Sequence, residues 1–149
     1  PILTFLPLDE QQQHIQQSLD LENFTEDKSL KRYFKYFCMR EFSSELLLFY
    51  DCVHEYKLMP RPDREQVTPR LFHLYFNTDS IFELNVPEYL KSACERDFET
   101  YGATVDLFDD ILSQVKLNLK DTFRRFQKSS LFQEAKLSLR SKTYKLKQI

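Results

Sequence analysis

Apolar positions recur at helical spacing along most of the chain, and they are densest near its middle. In the stretch from Glu41 to Tyr56, apolar side chains three and four residues apart mark one face of a helix: Leu46, Phe49, Tyr50 and Val53. Leu47 and Leu48 extend the apolar surface to a second face, and a helix that is apolar on more than one side is buried on more than one side. We therefore predict a central helix here, with Ser43 or Ser44 as its N-cap and other helices packed around it.

Further helices are predicted on both sides of the central one, from the same periodicity and from capping residues. They cover Asp9–Leu19, Ser29–Met39, Pro62–Tyr75, Glu88 to about Phe98, a span from near Thr104–Asp106 to Ser129, and a last helix from Ser129–Ser130 onward. The third of these contains Pro69, which either kinks the helix or marks its true first turn. The segment from Phe76 to Val86 has no period and predicts a loop.

Glycine usage sets the fold class. Gly102 is the only glycine among the 149 residues, and tight hairpins and phosphate-cradling loops both need glycine for positive φ or close backbone approach. This composition argues against β-meanders, Rossmann units and P-loops. Fourteen Phe and eight Tyr with no Trp indicate a core built from rings. We expect one all-α domain with no internal boundary.

The candidate chemistry of the chain is sparse. The histidines and cysteines share no metal-ligand spacing: His14, His54, His73, Cys38, Cys52 and Cys94. The sequence suggests no Ser/His/Asp arrangement of a nucleophile with a base, and we expect no metal or cofactor. The net charge of −2 gives no reason to expect nucleic acid as a partner, and no apolar run reaches the roughly 20 residues of a membrane span. The residues alone predict an all-α binding module whose chemistry belongs to a partner.

Three segments together resemble the regulator of G-protein signalling (RGS) domain. The first, Phe34–Lys57, is similar to the pattern F-x-x-F-L-x-x-E-[YF]-S-x-E-N-[IL]-x-F-W followed by E-Y-K. The second, Ile81–Val86, is similar to a loop that ends in [VI]-N-[LIV], and the third, Leu117–Ser129, to L-M-x-x-D-[ST]-[YF]-x-R-F-x-x-S. Each motif alone is weak. Their order and spacing agree from about Leu19 to Phe132, so the three in register form a specific signal.

The resemblance implies a single all-α domain over residues 1–149, a bundle of about nine helices with its core at about residues 19–135 and a basic C-terminal helical tail. It also implies a GTPase-activating protein for the Gα subunits of heterotrimeric G proteins, without catalytic group or cofactor, because the hydrolytic site lies on Gα. The residues expected to bind Gα are Glu41, Ser43, Glu45, Leu46, Asn85, Glu88, Leu117, Asp121, Thr122 and Arg125.

The family pattern assigns roles to several of these residues. Asn85 is expected to reach the catalytic Gln and a switch residue of Gα. Asp121 is expected to accept a hydrogen bond from a switch backbone or hydroxyl group, with Arg125 holding Asp121 in place. Leu117 is expected to pack on the switch surface. The alternative to these binding roles is a structural one, in which Asn85 caps a loop and Asp121 forms an ordinary helical ion pair with Arg125.

The chain departs from the family pattern at the central helix. Leu46 stands where the family carries Asn, and Tyr50 stands where it carries Trp. The change at Leu46 favours a rival function, a non-catalytic scaffold of the same fold that binds other signalling proteins. The rival function is disfavoured by the presence of Asn85, Asp121 and Arg125 at their motif positions.

The C-terminal tail is the one strongly basic segment. Its basic residues are Lys136, Arg140, Lys142, Lys145 and Lys147, and no acid follows Lys136. A run of lysines is most often a solvated helix end. An anionic membrane surface is nevertheless a second candidate partner, since Gα sits at membranes. We expect a cytoplasmic protein that is recruited to the inner face of the plasma membrane.

Overall fold

The structure, a computed structural model, describes the backbone of residues 20–147 and the side chains of residues 20–141. Within that part of the chain it contains no β-strand and seven helices: α1 Leu21–Glu26, α2 Lys28–Arg40, α3 Ser44–Leu58, α4 Arg61–Tyr75, α5 Glu88–Tyr101, α6 Asp109–Gln127 and α7 Ser130–Lys147. The all-α prediction is confirmed. The predicted helix Asp9–Leu19 lies outside the described residues, so seven helices here compare with the expected total of about nine.

Side-chain capping stabilises the beginning of α2 but not that of α3. Asp27 caps α2, because its Oδ1 accepts hydrogen bonds from the backbone N–H of Ser29 at 2.8 Å and of Leu30 at 3.1 Å. Two donors that the first turn leaves unpaired are satisfied in this way. Ser43 occupies the N-cap position of α3, as predicted, but its side chain makes no capping hydrogen bond.

Two helix boundaries depart from the sequence pattern. Helix α4 runs from Arg61 to Tyr75 and continues through Pro69, so this proline does not mark the first turn. Helix α6 begins at Asp109 rather than near Thr104–Asp106. The chain first closes a turn there, in which the N–H of Leu107 donates to the carbonyl of Thr104 at 3.2 Å.

One compact unit comprises the described residues up to Arg40 together with those from Lys120 onward. Its core is a cluster of phenylalanine rings in edge-to-face contact. The ring centroid of Phe24 lies 5.4 Å from that of Phe123 and 5.3 Å from that of Phe126, and Phe132 lies 5.4 Å from Phe126. Such pairs contribute about 0.5–1.5 kcal/mol each beyond the burial of their area. The predicted core of rings is therefore found in this unit.

The second compact unit comprises Glu41–Leu119 and contains the central helix. On α3, Phe49, Val53 and Tyr56 are completely buried. The ring of Phe49 packs edge-on against those of Tyr75 at 5.2 Å and Phe108 at 5.9 Å. Buried residues on more than one face of α3 confirm the prediction of a helix that is buried on more than one side.

The turn after α5 is tied to the beginning of α4 in the same unit. The buried guanidinium of Arg64 donates from Nε to the carbonyl of Ala103 at 2.8 Å and from Nη1 to that of Met59 at 2.7 Å. Glu65 Oε1 accepts from the N–H of Ala103 at 2.9 Å. Gly102 joins these contacts with a left-handed φ of 77°, a conformation that glycine adopts without steric cost.

Candidate partner-binding segments

The turn before α3 and the first turn of that helix carry four of the predicted site residues, and Phe42, which was not among them, lies in the same turn. Glu41 is exposed, whereas Ser43 and Glu45 are half-buried. Leu46 is only 7% exposed, so it supports the turn from the core and offers little surface of its own. Phe42 is 92% exposed and has a φ of 54°. A non-glycine residue in this left-handed region stores backbone strain, which is typical of functional turns.

Phe42 was missed because a strand or helix period does not mark a single aromatic residue in a turn. The sequence signal that could have found it is the aromatic [YF] position of the first motif, which Phe42 fills between Glu41 and Ser43. Since large apolar side chains in isolation are common at surfaces, only the combination of exposure and a strained backbone distinguishes Phe42.

The loop between α4 and α5 presents Asn85 to solvent. Asn85 is exposed, but its two neighbours are buried, with Leu84 at 0% and Val86 at 8% exposure. The N–H of Leu84 donates to the carbonyl of Tyr75 at 2.8 Å. With the residues on both sides anchored in the unit, the amide of Asn85 is directed outward from a fixed backbone.

Further contacts fix the first half of this loop. The hydroxyl of Ser80 donates to the carbonyl of Leu74 at 2.6 Å and accepts from the N–H of Phe82 at 3.2 Å. The N–H of Glu83 donates to the carbonyl of Ser80 at 3.2 Å. The sequence predicted this loop from its lack of a period and from the motif at Ile81–Val86, and these contacts show that it has a defined structure.

An ion pair between the Asn85 loop and α5 was not predicted from the sequence. Lys91 Nζ lies 3.0 Å from Glu83 Oε1, and the side chain of Lys91 is only 3% exposed. The signal that could have found Lys91 is its place on the apolar side of α5, three residues before the buried Cys94. A lysine at a buried helical position requires a partner.

Glu88 and Leu117 occupy other exposed positions of the same unit. Glu88 lies in the first turn of α5, where a carboxylate is stabilised by the helix dipole. Leu117 is 62% exposed on α6. An exposed leucine is ordinary at a protein surface, so Leu117 becomes informative only together with its neighbours in the sequence motif.

The last turns of α6 bring three predicted residues together. Arg125 donates from Nη1 to Asp121 Oδ2 at 3.3 Å and from Nη2 to Thr122 Oγ1 at 3.3 Å. The side chain of Asp121 is 67% exposed, while Thr122 is 2% exposed. Thr122 thus anchors the guanidinium, and Asp121 presents its carboxylate to solvent. An exposed helical pair of this kind stabilises the helix by only a few tenths of a kcal/mol.

Metal ligands and nucleophiles are the remaining chemical features of the described side chains. Among them, no three His, Cys, Asp or Glu residues are grouped so that they could hold a metal ion. Burial raises the pKa of the Cys94 thiol to about 12, which disfavours the nucleophilic thiolate. No helix in the described range has the length and apolar character that crossing a membrane requires.

Comparison with known proteins agrees with the motifs. A protein-family model described as "Regulator of G protein signaling domain" matches residues 20–135. The chain is also 28% identical over 95 residues to a Dictyostelium discoideum protein named "Probable inactive serine/threonine-protein kinase roco10". That match covers 58% of this chain and 4% of the other protein, so the chain spans only a small part of this relative's length.

Proposed function

Because the chain belongs to the RGS domain family, whose role is to regulate G-protein signalling, we propose that it is a GTPase-activating protein for a Gα subunit. It supplies no catalytic group of its own and binds the switch regions of Gα in the shape of the transition state. The observation that supports this most strongly is Asn85, an outward amide on an anchored backbone at the position where the family carries Asn.

Asn85 suits the task because of its chemistry and its fixed position. A side-chain amide has both donor and acceptor groups, so Asn85 can bind a switch residue and the catalytic Gln of Gα together. A group that is already in place when the partner arrives costs less conformational entropy on binding. Contacts that are strongest in the transition state raise the rate of hydrolysis, not merely the affinity.

Asp121 contributes a second polar contact. Its exposed carboxylate accepts a hydrogen bond from a switch N–H or hydroxyl group, and the Arg125 guanidinium at 3.3 Å fixes its orientation. Thr122 acts through Arg125, to which its hydroxyl is bonded. Leu117, exposed one turn earlier in the sequence of α6, provides apolar contact with the switch surface.

The turn before α3, the first turn of α3 and the beginning of α5 complete the proposed contacts. Glu41, Ser43 and Glu45 offer carboxylate and hydroxyl groups to Gα, and Glu88 offers a carboxylate. The exposed ring of Phe42 adds an apolar anchor of the type that dominates protein interfaces. Leu46 supports this turn from within the core, so its effect on Gα binding is indirect.

A non-catalytic scaffold of the same fold remains the alternative, and Leu46 is the observation that favours it. The side chain that replaces the family's Asn is apolar and buried, so no amide is available at the start of α3 to bind a switch region. Such a scaffold would bind other signalling proteins and would show no preference for Gα in its transition-state form.

The basic tail is the basis of a separate proposal, contact with an anionic membrane at the inner face of the plasma membrane. Of its described side chains, Arg140 is exposed, whereas Lys136 Nζ lies 5.0 Å from the ring centroid of Phe132. Vesicle binding should fall as salt rises, by about 1 kcal/mol for each basic residue engaged. Equal binding to neutral and anionic vesicles would exclude this contact.

The GTPase-activating proposal is tested by the affinity of the chain for Gα in three states: with GDP, with a non-hydrolysable GTP analogue, and with GDP plus a planar phosphate mimic. We expect the tightest binding to the last. Asn85→Ala should weaken that binding by about tenfold, or about 1.4 kcal/mol, and leave the melting temperature nearly unchanged. Thr78→Ala, an exposed change in the same loop, is the matched control. No binding to Gα in the transition-state form, or equal affinity for all three states, would favour the scaffold.

A further inference from the structure

Lys91 is a lysine in the interior of its unit. Its side chain is 3% exposed, and Nζ lies 3.0 Å from Glu83 Oε1, whose own side chain is 33% exposed. An ammonium group removed from water is costly unless it is paired. The ion pair therefore restrains Glu83, because moving this carboxylate away would leave a buried charge without its partner.

The restraint acts on the backbone that carries Asn85. Glu83 lies two residues before Asn85, and between them Leu84 is fully buried with its N–H bonded to the carbonyl of Tyr75. Val86 is buried on the other side. The segment is held by its side chains at Glu83, Leu84 and Val86, and Asn85 is its exposed position.

Stability alone does not account for an ion pair at this place. Replacement of a buried pair by apolar residues of similar volume is often neutral or stabilising, so a Met at position 91 would serve a core whose only task is to stay folded. What a paired lysine adds is a directional contact that apolar packing cannot supply.

We propose that Lys91 is a positioning residue for the Gα-binding loop, which fixes Asn85 in its binding orientation before Gα arrives. This inference rests on the proposed function of Asn85. With 3% of its side chain exposed, Lys91 acts through Glu83 and the loop backbone, and it does so by lowering the conformational entropy that Asn85 loses on binding.

The first measurement is amide hydrogen exchange of residues 81–87 in the chain alone. In Lys91→Met, exchange across this loop should rise by at least about tenfold, because local opening no longer breaks an ion pair. Lys91→Arg keeps the charge and the donors and should restore protection. The matched control is Lys57→Met, which removes a lysine that pairs with Asp109 elsewhere in the same unit and should leave the loop unchanged.

The second measurement is single-turnover GTP hydrolysis as a function of chain concentration. Lys91→Met should raise the concentration needed for half-maximal stimulation by about tenfold, while the rate at saturation stays within about twofold of the wild-type rate. Asn85→Ala, by contrast, should lower the rate at saturation. If Lys91→Met folds poorly, the double variant Lys91→Met with Glu83→Gln removes the pair without leaving a buried charge unpaired.

The outcomes separate the two proposals. If the wild-type chain stimulates no Gα, the proposed function fails, and the exchange of residues 81–87 still decides whether Lys91 fixes the loop. If the wild-type chain stimulates Gα but the loop keeps its protection in Lys91→Met and in the double variant, the positioning role is wrong and the proposed function stands. A lowered melting temperature with unchanged loop exchange would show that the role of Lys91 is structural only.

Discussion

A Cβ atom built on Gly102 would lie 2.5 Å from Glu65 Oε1 and 2.7 Å from Arg61 Nη2. Each of these two side-chain groups already makes a hydrogen bond to the backbone in this position. Glu65 Oε1 accepts from the N–H of Ala103, and Arg61 Nη2 donates to the carbonyl of Tyr101 at 2.9 Å. A side chain at position 102 would displace at least one of these contacts. It would also strain the backbone, because Gly102 has a left-handed φ of 77°.

Gly102→Ala should therefore destabilise the protein. We expect a loss of about 1–3 kcal/mol, from strain at a left-handed position and from the displaced hydrogen bonds. Denaturant unfolding gives this difference directly. Glu99→Ala, an exposed change on α5, is the control and should stay within about 0.5 kcal/mol. A Gly102→Ala protein as stable as this control would mean that the turn is formed differently in solution.

Phe42 allows the backbone strain to be separated from the contribution of the ring. Phe42→Ala and Phe42→Gly both remove a ring that is 92% exposed, so both should weaken Gα binding by a similar factor, about fivefold or more. Glycine also relieves the left-handed φ of 54°. The relief of backbone strain contributes about 1–2 kcal/mol, which exceeds the free-energy cost of the extra conformational entropy that glycine gives the unfolded chain.

The glycine variant should accordingly be more stable than the alanine variant, by about 0.5–1 kcal/mol in denaturant melts. Unchanged Gα affinity in both variants would remove Phe42 from the binding surface. A glycine variant less stable than the alanine variant would show that Phe42 does not hold this backbone conformation.

Stability should decline at alkaline pH because of buried acids that stay protonated in the fold. Burial raises the pKa of the Cys94 thiol to about 12, from an ordinary value of 9.0, and burial also raises the pKa of Tyr75 and of Tyr56. The folded state holds each proton more tightly than the unfolded state. The contribution of Cys94 is therefore complete below about pH 9 and is lost as pH rises from about 9 toward 12.

Cys94→Ala tests this pH dependence. The difference in unfolding free energy between wild type and Cys94→Ala should shrink as pH rises from 9 to 11, with a slope of at most about 1.4 kcal/mol per pH unit. Denaturant melts at pH 7, 9, 10 and 11 measure it. A difference that stays constant over this range would show that the thiol ionises as readily in the folded protein as in the unfolded one.

The sequence was sufficient for the main helices because their apolar spacing has a direct physical cause. The central helix was predicted with Ser43 or Ser44 as its N-cap, and it is found at Ser44–Leu58 with Ser43 in the N-cap position. Its apolar residues recur at three and four positions because such residues share one face of a helix. The sequence was less informative where tertiary contacts determine the residue at which a helix begins. The delayed start of α6 at Asp109 depends on a turn whose residues Leu107 and Phe108 are as apolar and as buried as helix residues.

The candidate site shows the same division. A motif can place Asn85 in a loop, but the ion pair of Lys91 with Glu83 depends on the path of the loop, which no periodicity describes. Leu46 shows a conflict within the sequence itself: its spacing assigns it to the buried face of the central helix, while its motif position assigns it to the binding edge. Burial at 7% exposure favours the first assignment.

The rate of single-turnover GTP hydrolysis by a panel of Gα subunits, with and without this chain, tests the proposed activity most directly. We predict that at least one Gα is accelerated by about tenfold or more, and that Asn85→Ala removes at least about 1.4 kcal/mol of this transition-state stabilisation. Asp121→Ala should act in the same direction. No acceleration of any Gα by a correctly folded chain would contradict a GTPase-activating function.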